Sequence, residues 1–351
     1  MTSMHFRIVG SGLIGTSIAL CLASLGHSVD IDDSDADARK LARDLVGKSL
    51  ASKEPDMVIV ATPPESIFSV LQTEYQRHPQ SVFIDVGSVK NKLIREVEGF
   101  PELSTRFVGT HPMAGREFSG AASAQSDLFQ GRAWIVTRTQ NSAPEVLNVV
   151  TQLVESLGAT VYEMDAESHD QLLARISHLP QALSTVLAGS LMSIGKGMEL
   201  SGQGLRDTTR LADSDARLWS EIFLQNREAV LQALQDFSSQ LERLRTAILK
   251  SDVDEIGTIF NQGKQGRSRV SGKHGSMPRD YVHLMIVIKD EPGALKQLFE
   301  ECAVVNANIE DLSIEHSPKQ ETGLITLAFS PEEASRVQEH LVARHWKVHA
   351  R

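Results

Sequence analysis

Apolar positions change their spacing three times along the chain, and the changes divide it into parts. From residue 6 to about 165, short apolar runs alternate with helix-spaced stretches. Phe6-Arg7-Ile8-Val9 reads as a buried strand. Ile14, Ile18, Leu22 and Leu25 then share one helical face, and Val29-Asp30-Ile31 is a second strand. Residues 56–61 and 81–86 repeat the strand pattern at helical intervals. Further strands are predicted at 106–109, 132–136 and 160–163, with a helix over 144–157. Strands spaced by helices predict an α/β domain over residues 1–165, a parallel sheet of the doubly wound, Rossmann type.

No strand pattern appears in residues 166–264. Leu183, Val186, Leu187, Leu191 and Ile194 mark one helical face. Trp219, Ile222, Phe223, Val230, Leu234, Phe237, Leu241, Leu244 and Ile248 largely follow alternating steps of three and four. A stripe that long exceeds the needs of one small core. It predicts an all-α dimerisation domain, and so a homodimer. Residues 265–280 are rich in Gly, Ser, Lys and Arg and read as a linker. Beyond it, residues 281–351 follow a β-α-β-β-α-β order, the signature of a ferredoxin-like α+β domain.

Composition narrows the function classes. The 351 residues carry a net charge of −10, which disfavours nonspecific binding to nucleic acid or an anionic membrane. An anionic small molecule would need local Arg or His groups against that background. The two cysteines, Cys21 and Cys302, lie far apart in apolar helical patterns, as reduced thiols of a cytoplasmic protein do. No signal-peptide pattern or membrane-length apolar run is seen, and no metal site is expected.

Chemistry enters where strands end. The first strand runs into Gly10-Ser11-Gly12-Leu13-Ile14-Gly15 and then a helix, and the second ends in Asp32-Asp33. That is the dinucleotide fingerprint in its strand–loop–helix–strand–acid context. The glycines admit the pyrophosphate to the helix N-terminus, and Asp33 (or Asp32) accepts from the adenine ribose. The acidic run Ser34-Asp35-Ala36-Asp37 would repel a 2′-phosphate, so NAD is favoured over NADP. Thr62, Pro63 and Ser88 follow the next two strands, where ligands gather in such sheets; Ser88 could equally be only a helix cap. His111 lies where the run Phe107-Val108-Gly109 gives way to a glycine-rich turn, placed for proton exchange. In the helical part, His178 precedes Pro180. Arg206 and Arg210 are four residues apart and would share a helical face; Arg210 could clamp a carboxylate or serve as a surface or Asp-paired arginine.

Taken together, these segments resemble the prephenate/arogenate dehydrogenase family of tyrosine biosynthesis, in the form with a C-terminal ACT regulatory domain. The resemblance rests on five spaced motifs: Gly10–Gly15, Asp85-Val86-Gly87-Ser88-Val89-Lys90, His111-Pro112-Met113-Ala114-Gly115, Ser177-His178-Leu179-Pro180 and Arg206-Asp207-Thr208-Thr209-Arg210. Ser214-Asp215 and Trp219 extend it, and Asp290-Glu291-Pro292-Gly293-Ala294-Leu295 is similar to the ACT opening turn. It implies NAD-dependent oxidation of the ring hydroxyl of prephenate, with arogenate as the alternative substrate, and loss of the ring carboxylate as CO2. His111 would take the hydroxyl proton, and Ser88 would orient His111 and touch the cofactor. Arg210 would hold the ring carboxylate, His178 would contact substrate, Trp219 would line the pocket and Glu117 would stand near its entrance. Arg116 departs from the small hydroxyl residue of some members and would either meet the side-chain carboxylate or pair with Glu117. L-tyrosine would bind the ACT unit at Asp290, Gly293, Ala294, Asn308 and Ile309 and inhibit. Two other classes fit less well: another β-hydroxyacid dehydrogenase would lack the C-terminal unit, and a non-catalytic nucleotide or amino-acid sensor need not keep His111 and Arg210.

Overall fold

The computed structural model describes residues 3–47, 54–115, 120–270, 281–289, 291–316 and 322–350. Arg116, Glu117 and Asp290 lie outside the described residues. Two compact units are formed, Met1–Glu242 and Arg243–Arg351.

The first unit opens with a seven-stranded sheet: β1 His5–Val9, β2 Ser28–Asp32, β3 Met57–Val60, β4 Val82–Asp85, β5 Phe107–Pro112, β6 Ala133–Arg138 and β7 Thr160–Glu163. Its order is β2-β1-β3-β4-β5-β6-β7. Between the strands run α1 Leu13–Ser24, α2 Ala36–Val46, α3 Ile67–Arg77, α4 Asn91–Glu98, α5 Pro101–Ser104 and α6 Pro144–Ser156. All four residues of β3 are buried. Met57 and Ile59 enter one core with Ile8, Ile18 and Ile31, whereas Val58 and Val60 enter another with Leu71, Phe83 and Phe107. Alternate side chains thus feed opposite faces, as a sheet covered on both sides requires.

The sheet is not wholly parallel. β6 pairs with β5 antiparallel, and β7 then runs parallel to β6. The reason is the connection. The described part between Pro112 and Ala133 contains only the 3-10 turn Ala121–Ser123, and a parallel return needs a longer crossover, usually helical. β5 also runs further than the apolar pattern suggests, carrying Thr110, His111 and Pro112 in register with Val136, Ile135 and Trp134.

The helical part comprises α7 Ala166–Leu173, α8 Leu179–Ser190, α9 Gln203–Thr209, α10 Ala216–Gln225 and the start of α11 Arg227–Leu249. A π-helical turn, Ala174–His178, joins α7 to α8 without a break. Pro180 has no N–H to offer the preceding turn, so the regular ladder fails there and a wider turn takes its place. The predicted apolar stripe divides. Val230 is buried with Ala174 and Ala233, and Phe223 and Leu234 pack beside them. Leu241, by contrast, is exposed, as are Val186, Met192 and Leu200 on other helical segments.

The second unit begins within α11 and continues through α12 Val253–Ser268, where Arg243 pairs with Glu255. Its sheet contains β8 Val282–Lys289, β9 Asp311–His316, β10 Thr322–Phe329 and β11 Lys347–Ala350, in the antiparallel order β11-β8-β10-β9. Its helices are α13 Ala294–Val304 and α14 Pro331–Ala343. Leu284, Ile286, Ile325 and Leu327 join Leu298, Cys302, Val337 and Leu341 in its core. This small sheet with two helices follows the element order expected from the sequence. Both cysteines are buried free thiols.

Candidate active site

The nucleotide end of the first unit is shaped by backbone constraints. Gly10 has φ +110°, and a Cβ there would lie 2.3 Å from the Ala61 carbonyl oxygen; a Cβ on Gly15 would lie 2.0 Å from that of Gly10. Both must be glycine for β1, the loop and α1 to close up. Gly12, the N-cap of α1, faces open space and offers no side-chain cap, so the first-turn N–H groups are available to an anion. Across the loop, Thr62 Oγ1 is buried with no protein partner. Open space over bare helix donors, beside an orphaned hydroxyl, fits a dinucleotide. Leu13 and Ile14 start the helix there, and Pro63 follows Thr62 before the 3-10 turn Pro64–Ser66.

The acids at the end of β2 divide their work. Asp33 accepts from Ser11 N at 2.6 Å, from Ser11 Oγ at 2.8 Å and from Asp35 N at 2.9 Å, so it ties the glycine loop to β2. Asp32 is bonded by Arg7 at 3.0 Å. These bonds hold both carboxyls below the usual carboxylate range against the opposing effect of burial. Arg39, which sequence reasoning passed over, donates to the Asp33 carbonyl at 2.9 Å.

The chemical end is organised by a buried ion pair. Asp85, at the end of β4, accepts from Gly87 N at 2.8 Å and from Thr110 N at 3.2 Å, and pairs with Lys90 Nζ. Neither side chain of the pair is exposed. The pair thereby fixes the loop bearing half-buried Ser88 against the end of β5, where His111 stands. His111 Nδ1 lies 2.9 Å from His169 Nε2, and His169 Nδ1 lies 2.7 Å from Asp170 Oδ1. Asp170 also accepts from Lys90 N and Asn91 N, both at 2.9 Å, at the start of α4. Burial first, then the charges of His169, Lys90 and His178, push the His111 pKa well below 6.5.

His178 ends the π-helical turn and is buried. Its Nδ1 lies 3.1 Å from Asn226 Nδ2, and that amide also donates to the Asp170 main-chain oxygen at 2.8 Å. Burial lowers its pKa to about 4. Trp219 and Phe223 of α10 stand edge-on to it, with ring centroids 6.0 and 6.5 Å away. Arg210 opens a 3-10 turn, Arg210–Asp213, and is exposed. That turn is tied to α8 by Gln181, which donates to the Leu211 carbonyl at 2.6 Å. Arg206 is engaged by Gln203 and the Ser201 carbonyl.

His111 and His178 are thus linked through His169, Asp170 and Asn226, Trp219 stands against His178, and the Arg210 turn is anchored one helical turn from His178. His169, Asp170 and Asn226 were missed by sequence reasoning. His169-Asp170 looks like the polar face of a surface helix, and Asn226 is an ordinary residue at the break between α10 and α11. Only the fold buries them.

A dinucleotide loop after β1 and a histidine of lowered pKa at the end of β5, both at the carboxyl edge of one doubly wound sheet, are the arrangement of a nicotinamide-dependent dehydrogenase. The chain belongs to the prephenate dehydrogenase family. Residues 19–163 match the family model described as prephenate dehydrogenase, nucleotide-binding domain, and residues 165–262 match prephenate dehydrogenase, dimerization domain. It is 30% identical to a cyclohexadienyl dehydrogenase of Zymomonas mobilis, over 78% of this chain and 98% of the relative. It is 28% identical to a prephenate dehydrogenase of Bacillus subtilis, over 96% of this chain and 95% of that one. The solved prephenate dehydrogenase of A. aeolicus, in complex with hydroxyphenyl propionate and NAD+, superposes with a TM-score of 0.70 at 28% identity. That match covers 77% of this chain and 99% of the other.

Proposed function

We propose that the chain is an NAD-dependent prephenate dehydrogenase, converting prephenate to 4-hydroxyphenylpyruvate and CO2. The observation that carries the reading is His111: neutral, backed by His169, and set at the carboxyl end of a sheet whose other loops fit a dinucleotide. NAD, when bound, supplies the hydride acceptor. His111 takes the proton of the ring hydroxyl as the C4–H bond breaks, so the oxygen's electrons can form the carbonyl. Departure of the ring carboxylate as CO2 then aromatises the ring. Arg210 holds that carboxylate, His178 hydrogen-bonds the substrate, and Trp219 walls the pocket. Ser88 lies on the loop between sheet and substrate, and Thr62 and Pro63 border the cofactor. Arogenate differs only in its side chain, and the Zymomonas relative is named for the wider cyclohexadienyl class. Following NADH formation with prephenate and with arogenate, under NAD and NADP in turn, tests the reading. Prephenate with NAD should be fastest; NADH from neither substrate would refute it.

The same reading takes residues 1–165 as the nucleotide domain, 166–264 as the helical domain that pairs two chains and 281–351 as a ferredoxin-like ACT domain; the linker expected over 265–280 is shorter, because α12 runs on to Ser268. Met192, Leu200 and Leu241, exposed in the helical part, are apolar residues that a second copy of the chain would cover. For the last domain, L-tyrosine is the proposed inhibitor. Gly293, at φ +93°, caps α13 without a side-chain bond; the Ala294 N–H donates to the Glu291 carbonyl at 3.2 Å, and the N–H groups that follow are offered to a carboxylate. Asn308 and Ile309 follow α13; the Asn308 side chain donates to Glu310 at 2.9 Å. Calorimetry with L-tyrosine on the full chain, with inhibition followed in parallel, tests this; no heat and no inhibition at millimolar tyrosine would remove it.

A further inference from the structure

His111 and His178 are both neutral near pH 7, since burial lowers each pKa. A neutral imidazole has one donor and one acceptor nitrogen, and the partner of one nitrogen decides the role of the other. The bonds around Asp170 decide both rings. Its carboxylate accepts from the main-chain N–H groups of Lys90 and Asn91, so it is an acceptor toward His169 Nδ1 as well. That nitrogen must carry the proton. His169 is itself kept neutral, chiefly by burial, so its Nε2 accepts. The 2.9 Å contact there then requires a proton on His111 Nδ1, which leaves His111 Nε2 bare.

Asn226 makes the opposite setting. Its Nδ2 lies 2.8 Å from the Asp170 main-chain oxygen, which can only accept, so that atom is the amide nitrogen rather than its oxygen. Its second hydrogen points to His178 Nδ1 at 3.1 Å. That nitrogen accepts, and the proton of His178 sits on Nε2.

We propose that one network, His169 with the Asp170 carboxylate and Asn226 with the Asp170 carbonyl, holds the two histidines in opposite tautomers. His111 Nε2 is fixed as a proton acceptor and His178 Nε2 as a hydrogen-bond donor. His169, Asp170 and Asn226 are positioning residues: they act on substrate only through the two rings. When His111 Nε2 receives the hydroxyl proton, its Nδ1–H stays bonded to His169, with the Asp170 charge one ring further back. The catalytic consequence rests on the reading of His111 as the proton acceptor; the tautomers themselves do not.

The test is long-range 1H–15N correlation on the full chain labelled at histidine, without ligands, with His111→Asn and His178→Asn used to assign the rings. The expected spectrum shows His111 protonated at Nδ1 and His178 at Nε2. The reverse in either ring overturns the proposal. Kinetics supply a second arm. His169→Phe keeps a buried ring but removes the acceptor; kcat should fall tenfold or more with both KM values within about threefold, and the His111 signals should become mixed. Asn226→Ala should raise the substrate KM and mix the His178 signals. Wild-type kcat and an unchanged His111 tautomer in folded His169→Phe also overturn the proposal, and if a variant does not fold, the wild-type spectrum decides. Full activity in His111→Asn would instead defeat the proposed role of His111, while the spectrum still reports the tautomers.

Discussion

His111 and Arg210 are proposed to face the same substrate from unlike supports. His111 stands on a strand of a sheet covered on both faces, with its ring against His169 and the neighbouring Thr110 N–H bonded to Asp85 of the Asp85–Lys90 pair. Arg210 stands on an exposed 3-10 turn held to α8 by Gln181. Proton transfer needs a base placed to within a fraction of an ångström and kept neutral, which a buried sheet end supplies. Carboxylate recognition tolerates more movement, because a guanidinium carries its own geometry and charge. On that proposal the base stands on a packed strand and the carboxylate clamp on a more exposed turn.

His111→Asn should break the contrast most sharply. Losing a positioned base costs roughly 10²–10⁴-fold in kcat, with prephenate binding by calorimetry little changed. Lys90→Met comes next: removing one partner of a buried pair leaves Asp85 uncompensated, at a cost of about 3–5 kcal/mol read from chemical unfolding. Arg210→Gln should raise the prephenate KM roughly tenfold or more with kcat less affected, and an unchanged KM would make Arg210 a surface residue.

Smaller effects sharpen the electrostatic side. Because the His111 pKa lies well below 6.5, the acid limb of kcat/KM should fall below that value, activity being lost as pH drops through the lowered pKa and the base takes up a proton. A limb at or above 6.5 would mean that another group titrates. Ser34→Arg should narrow the preference for NAD over NADP by about tenfold, since it adds a cation for a 2′-phosphate. Asp33 is best left in place, because it anchors Ser11 and its loss would weaken both cofactors.

Much of the sheet half was legible in the sequence, because its signals are local. A strand, a glycine loop, a helix and an acid follow one another within residues 6–33, and His111 ends an apolar run. Strand direction was not, since the reversal of β6 depends on what the connection lacks. The helical half was legible only as periodicity. Its polar network depends on α7, α8 and the α10–α11 break converging, so that His169, His178 and Asn226 come together from positions 169, 178 and 226. Nor does an apolar stripe announce which part is core: Val230 is buried and Leu241 is not.

The most direct measurement follows NADH and CO2 together, from prephenate and NAD, for the wild-type chain and for His111→Asn. Equal amounts of both are expected from the wild-type chain, and both should be slowed together by roughly 10²–10⁴-fold in a variant that still binds prephenate. Wild-type production of NADH without CO2, or a His111→Asn rate within threefold of wild type, would contradict this expectation.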